Sequence, residues 1–314
     1  MAGAPVTPES AYNDAGYVSV NGGAHNLFYW MFESRSSPQT DPLILWLSGG
    51  PGCSSSLALF GENGPLSVNS DLSLNVNPYS WTSNATVVWV DSPVGTGFSH
   101  GVGLDHNEDA VAADLTEFVQ GFMVRYPQYA SLDFYVYGES YAGHYVPVAA
   151  KSIMDNLAGS VRLKGAAIGN GLTNPMVQYE YYAPFAHAHG LVTPPIEKLM
   201  YAMLDLCEPL IGACNNESYV SVDDDAAARA LAWEACIGAV AACNLGEVSP
   251  VQATGVNVYD VRVPCGDSKL CYDFSPIDGY LNQPEVQAAL GVDRVWKECR
   301  TTVEMGLVVN GNIT

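Results

Sequence analysis

The residues best able to do chemistry lie in Phe134-Tyr135-Val136-Tyr137-Gly138-Glu139-Ser140-Tyr141-Ala142-Gly143-His144-Tyr145. An apolar, β-prone run enters Gly-x-Ser-x-Gly and a helix-compatible run leaves it, the layout of a nucleophile elbow. A serine on such a turn presents its Oγ at a helix N-terminus, where the dipole favours developing negative charge. Small residues at Gly138 and Gly143 let strand and helix approach closely. A second glycine-rich turn, Ser48-Gly49-Gly50-Pro51-Gly52-Cys53-Ser54, follows the apolar run Leu43–Leu47. Its backbone N–H groups supply one half of an oxyanion hole, and the N–H of Tyr141, directly after the nucleophile, supplies the other. An ionised Glu139 beside the nucleophile would repel an anionic substrate. Sharing a proton with a second carboxyl, such as Glu62 in Phe60-Gly61-Glu62-Asn63-Gly64, it would instead hydrogen-bond a substrate carboxylate, because like charges at close range raise one pKa strongly. The pairing predicts tighter carboxylate binding at acidic pH.

The elements that must hold these residues follow from periodicity. Residues 15–20 and 26–32 read as strands around the hairpin signal Asn21-Gly22-Gly23. Leu43–Leu47 and residues 85–90 are continuous apolar runs, as expected of strands buried on both faces. Residues 108–126 form an amphipathic helix with Val111, Leu115, Phe118, Val119, Phe122 and Met123 on its apolar face, ended by Pro127. The elbow strand and helix come next, then a strand over 163–168 closing in Gly169-Asn170-Gly171. Strands alternating with helices predict a mostly parallel α/β sheet, with the three glycine turns gathered beyond the carboxyl ends of its strands. The character changes near Asn174. Residues 175–314 hold seven of the eight cysteines, are helical over 195–206 and 224–241, and read as a disulfide-stapled insertion on a core of residues 1–174.

Composition narrows the function classes. The 314 residues carry 12 Lys+Arg against 33 Asp+Glu, a net charge of −21. So few basic groups exclude phosphate neutralisation, hence nucleic-acid binding, and disfavour anionic membranes. Self-repulsion falls as pH falls, so an acidic working environment suits the chain. No apolar run is long enough to span a bilayer. The cysteine spacings match no zinc site, and neither a metal nor a cofactor is expected. An even cysteine count with sequons at Asn84 and Asn216 (a third, at Asn312, is terminal) points to the secretory pathway. The first five residues do not resemble a signal peptide.

Several long motifs carry a resemblance: Gly49-Gly50-Pro51-Gly52-Cys53-Ser54-Ser55, Asn77-Pro78-Tyr79-Ser80-Trp81, Asp91-Ser92-Pro93-Val94-Gly95-Thr96-Gly97-Phe98-Ser99, the elbow through Pro147, and Ile168-Gly169-Asn170-Gly171-Leu172-Thr173. Asn257-Val258-Tyr259-Asp260-Val261-Arg262 and Asp278-Gly279-Tyr280-Leu281-Asn282-Gln283 extend it to about Cys299. The chain resembles the serine carboxypeptidases of the carboxypeptidase Y type. That resemblance implies an α/β-hydrolase fold and release of C-terminal residues from peptides through an acyl-enzyme on Ser140. It implies Gly50 and Tyr141 as the oxyanion hole, with Ser48, Gly49, Glu62 and Glu139 gripping the substrate carboxylate. Ser48 stands where the family usually has Asn. Leu172, Tyr179 and Tyr182 would line the pocket for the residue before the scissile bond. The implied disulfides are Cys53–Cys299, Cys207–Cys243, Cys214–Cys236 and Cys265–Cys271, and the implied compartment is a vacuole, a lysosome or the exterior.

A serine nucleophile needs a base and an orienting carboxylate, which follow it in this fold. After Ser140 the histidines are His144, His187 and His189, and the only aspartate before His187 is Asp155. None assembles a triad: the family's Asp and His lie on the last sheet strands, beyond the insertion. The chain is thus expected to be inactive alone, as a fragment, one chain of a two-chain enzyme, or a shortened product. Two other readings remain: a relative with acyltransferase or lyase chemistry, and a non-catalytic binding remnant.

Overall fold

A computed structural model describes residues 11–217, 226–268 and 271–308. It divides into two units, one running to Gly171 and resuming over Phe274–Gly306, the other holding Leu172–Asp273. The segment Phe274–Gly306 thus groups with the sheet, although the sequence alone suggests one insertion running on from residue 175.

In chain order the first unit contains β1 (Asn13–Val20), β2 (His25–Phe32), β3 (Leu43–Leu47), α1 (Ser56–Gly61), β4 (Leu66–Val68), β5 (Leu74–Val76), β6 (Thr86–Val90), β7 (His100–Gly101), α2 (Glu108–Arg125), β8 (Asp133–Glu139), α3 (Ala142–Asn156) and β9 (Arg162–Gly169). The main sheet has the order β1-β2-β6-β3-β8-β9, with β7 added to β2. β1 pairs antiparallel with β2 and β2 antiparallel with β6, whereas β6, β3, β8 and β9 are mutually parallel. The sheet is therefore mixed and mostly parallel at its centre, and four disulfides staple the chain.

The apolar runs are continuous because both faces are covered. Alternate side chains of β3 point to opposite sides. Ile44 and Trp46 pack with Trp30, Trp89, Leu59 and Phe60 in one large core, which the returning segment completes through Tyr280, Leu281 and Trp296. Leu43 and Leu45 face the α2 side chains Phe118, Val119, Phe122 and Met123. The Asn107 side chain caps α2 by accepting from the Ala110 N–H at 2.8 Å, Glu108 and Asp109 complement its N-terminal dipole, and its regular part stops at Arg125, two residues before Pro127.

The second unit is more helical than its composition suggests. α4 (Pro175–Gln178) and α5 (Tyr182–Ala188) precede α6 (Pro194–Glu217), which continues well past residue 206, and α7 (Ala226–Cys243). Disulfides Cys207–Cys243 and Cys214–Cys236 cross between α6 and α7, and Cys265–Cys271 closes a small loop. Among the described residues no helix is long and apolar enough to cross a membrane.

Candidate active site

β8 delivers the chain to Ser140 and α3 takes it away. Ser140 is exposed, has φ 61°, and sits between buried Gly138 and buried Tyr141. A non-glycine residue in that left-handed region is strained, and the surroundings must hold it there. Three hydrogen bonds do so: Ser140 N–H to the Gly169 carbonyl (3.1 Å), Gly143 N–H to the Ser140 carbonyl (2.9 Å) and His144 N–H to the Tyr141 carbonyl (2.9 Å). Gly138 is required by close packing, since a Cβ there would lie 2.6 Å from the Leu47 carbonyl oxygen and 2.7 Å from the Ala142 Cβ.

The Gly49-Gly50 turn is pressed onto the elbow. A Cβ on Gly49 would fall 2.4 Å from the Tyr141 nitrogen, 2.8 Å from the Glu139 carbonyl oxygen and 2.9 Å from the Ser140 Cβ. Gly50 has φ +113° and Gly52 has φ +83°, both open to glycine alone without strain. The backbone that carries the expected oxyanion donors, Gly50 and Tyr141, is therefore stacked at the nucleophile. Ser48, just before, is buried; its Oγ accepts from Trp46 Nε1 (3.2 Å) and its N–H donates to Ser55 Oγ (3.0 Å).

The carboxyl pair is present. Glu62, at the end of α1, hydrogen-bonds the Glu139 side chain. Lost hydration, then the Glu139 hydrogen bond and charge, raise Glu62 above the usual carboxylate range. Glu62 still meets solvent, so its desolvation is partial and the Glu139 contact is the firmer cause.

Two supporting carboxylates escape a reading based on motifs alone. Asp91 is buried and accepts from Ser54 Oγ (2.5 Å), Ser55 N–H (3.0 Å) and Phe98 N–H (2.9 Å), locking the turn after Gly52 to the end of β6. Burial pushes it up to about 6 against the pull of those donors. Glu108 accepts from the Tyr141 hydroxyl at 3.0 Å, and burial drives it up to about 7. Gly97, across the turn, leaves room for the Asp91 carboxylate, since a Cβ there would lie 2.1 Å from Asp91 Oδ2.

His144 is buried on α3 with its ring against Tyr141 (centroids 4.8 Å), and burial lowers it to about 4. Its Nε2 has no hydrogen-bond partner, and among the described residues no histidine hydrogen-bonds Ser140. In the second unit Leu172 is half-buried, and Tyr179 and Tyr182 pair with ring centroids 5.0 Å apart. Asn84 is exposed; the side chain of Asn216, with the rest of its sequon, and Asn312 lie outside the described residues. Cys53 and Cys299 are bonded, tying the Gly52 turn to the segment that returns after residue 273.

With that geometry in hand, the family model described as serine carboxypeptidase matches residues 5–312. The chain belongs to the serine carboxypeptidase family. The chain is 39% identical over 304 residues to carboxypeptidase Y homolog A of Pyrenophora tritici-repentis, covering 95% of the chain and 54% of that protein. It is 41% identical over 319 residues to carboxypeptidase Y of Schizosaccharomyces pombe, covering 95% of the chain and 30% of the relative. The crystal structure of Kex1(delta)p, a prohormone-processing carboxypeptidase from Saccharomyces cerevisiae, superposes with TM-score 0.78 at 25% identity, covering 97% of this chain and 70% of the other. The chain spans about half the length, or less, of these carboxypeptidase Y relatives. Carboxypeptidase Y relatives and multiple disulfides together suit the secretory pathway or a vacuole.

Proposed function

We propose that Ser140 is the nucleophile of a serine carboxypeptidase that removes C-terminal residues from peptides in an acidic compartment, a vacuole, a lysosome or the exterior. The observation that carries this reading is the Glu62–Glu139 carboxyl pair one residue from a strained, exposed serine. A peptide's terminal carboxylate accepts from the shared proton and from the neighbouring Gly49 backbone, with Ser48 closing that end. The scissile carbonyl then lies against the Gly50 and Tyr141 N–H groups, which stabilise the oxyanion formed when Ser140 Oγ attacks. Collapse expels the C-terminal residue as an amine and leaves an acyl-serine for water to cleave. By family resemblance Leu172, Tyr179 and Tyr182 hold the apolar side chain before the scissile bond.

Attack requires a base, and none of the described histidines stands at Ser140. We therefore propose that this chain by itself holds substrate without turning it over, and that an Asp and a His, on a second chain or a longer one, complete the site. An acyltransferase or lyase has less need of a free-carboxylate grip, so the carboxyl pair favours the peptidase.

The test compares a blocked dipeptide with its C-terminal amide by calorimetry from pH 5 to pH 10, across the value of about 9 to which Glu62 is raised. The free acid should bind several-fold more tightly at the acidic end, and the preference should fade as Glu62 loses its proton. Glu62→Gln, which keeps a donor but cannot ionise, should flatten the profile. Equal binding of acid and amide at every pH would sink the carboxylate reading. Robust hydrolysis by this chain, abolished in Ser140→Ala, would sink the claim that the base is elsewhere.

A further inference from the structure

A second cluster of chemistry-bearing side chains lies outside this site, assembled from three places in the sequence. His25 opens β2, Asp105 lies in the loop before α2, and Asp114 is on the second turn of α2. All three are buried, at 3%, 4% and 4% exposure. His25 Nδ1 lies 2.6 Å from Asp114 Oδ2 and 3.9 Å from Asp105 Oδ1. One ligand atom from each residue falls within 4.8 Å of the other two. The Val94 N–H donates to the Asp105 carboxylate, yet Asp105 Oδ2 is buried with no hydrogen-bond partner.

The charges do not balance. With both carboxylates ionised, the trio keeps at least one negative charge in excess whatever the charge on His25. Among the described residues the other charged groups acting on Asp105 and Asp114 are acids, Glu108 beside the first and Glu117 beside the second, with no Lys or Arg among them. An unpaired buried ion costs several kcal/mol, and an orphaned carboxylate oxygen adds to that cost. A bound cation removes both costs together. One imidazole nitrogen with two carboxylates is a donor set for borderline first-row divalent ions rather than for Ca²⁺, which prefers an all-oxygen shell. Metal–ligand bonds of about 2.0–2.2 Å place donor atoms roughly 3–4 Å apart around such an ion, so the trio needs only a small adjustment.

We propose that His25, Asp105 and Asp114 form a binding site for a divalent transition-metal ion of the Zn²⁺ or Mn²⁺ class. The ion replaces the proton held between His25 Nδ1 and Asp114 Oδ2, which leaves to solvent, and takes Asp105 as its third protein ligand. It ties the start of β2 and the loop after β7 to α2. The proposal does not depend on the reaction at Ser140.

The test strips the full chain with a chelator and titrates it with ZnCl₂ or MnCl₂ alone, reading uptake by calorimetry and the thermal midpoint. The native chain should bind one tight equivalent and melt higher with the ion. Asp105→Asn should weaken that equivalent by at least about tenfold. Asp293→Asn, at a side chain 93% exposed, should leave it unchanged and so separates a built site from loose association with an acidic surface. Should Asp105→Asn fail to fold, NMR of the native protein replaces it: Zn²⁺ should shift the His25 ring resonances at one equivalent. No tight equivalent in the native chain, equal affinity in Asp105→Asn, or an unmoved His25 signal would each overturn the proposal.

Discussion

A methyl group on Gly49 would collide with backbone atoms of the elbow, 2.4 Å from the Tyr141 nitrogen and 2.8 Å from the Glu139 oxygen. Neither atom can swing aside, because one begins α3 and the other ends β8. Gly49→Ala should therefore cost about 2–3 kcal/mol in urea unfolding, while Gly266→Ala, whose added Cβ meets nothing within 4 Å, should be close to neutral. Asp91 makes a pH prediction at the same scale. In the folded protein its pKa, about 6, lies above the ordinary aspartate value of 3.8. The folded state thus binds the proton more tightly, so stability is fully present below about pH 4 and is lost as pH rises through 6. The loss amounts to about 2–3 kcal/mol. Urea titrations at pH 4 and pH 7 should show Asp91→Asn losing this much less than the native chain over that interval. Among single residues, the strained turn at Ser140 was legible in the sequence because a local motif writes it, and Glu62 beside Glu139 because the two side chains match by type. Asp91 and Glu108 were not, since each acts through partners far along the chain.

The elements were legible wherever one period dominates. β3 was read to the residue, because five consecutive apolar side chains admit only a strand covered on both faces. α6 was under-read: it continues through Pro209 because packing against α7 and two disulfides hold the helix beyond the point where local pattern suggests a stop. The element that matters most to the site is the returning segment. Cys299 bonds Cys53, the Ser54 N–H donates to the Glu298 carbonyl (2.8 Å), and the Arg300 N–H donates to the Gly52 carbonyl (3.0 Å). The disulfide closes a separation of 246 residues. Replacing both cysteines with alanine should lower stability by about 2–5 kcal/mol. The loosened turn should also weaken binding of the free-acid dipeptide, which thermal melting and calorimetry would report separately.

For the whole molecule, charge and edge exposure set the behaviour. A net charge of −21 repels itself, and screening lengths are about 10 Å at 0.1 M salt. Near neutral pH the thermal midpoint should rise as NaCl is added from low ionic strength; a falling midpoint would show that attractive pairs outweigh the repulsion. At the end of the sheet β9 pairs with β8 on one side, and among the described residues no strand pairs with its other edge, where Ile168 is 38% exposed. That edge is open to strand pairing.

The sequence by itself determined the elbow, the glycine turn at Gly49 and Gly50, the parallel strands between them and the family, because each is written in contiguous residues with a short period or a fixed motif. Only the tertiary structure decided that residues 274–306 return to the sheet, that Asp91 and Glu108 brace the site, and that His25, Asp105 and Asp114 converge. Those outcomes depend on which distant segments share a buried volume. Burial turns an ordinary carboxylate into a group that must find a partner, and no local pattern records where that partner is.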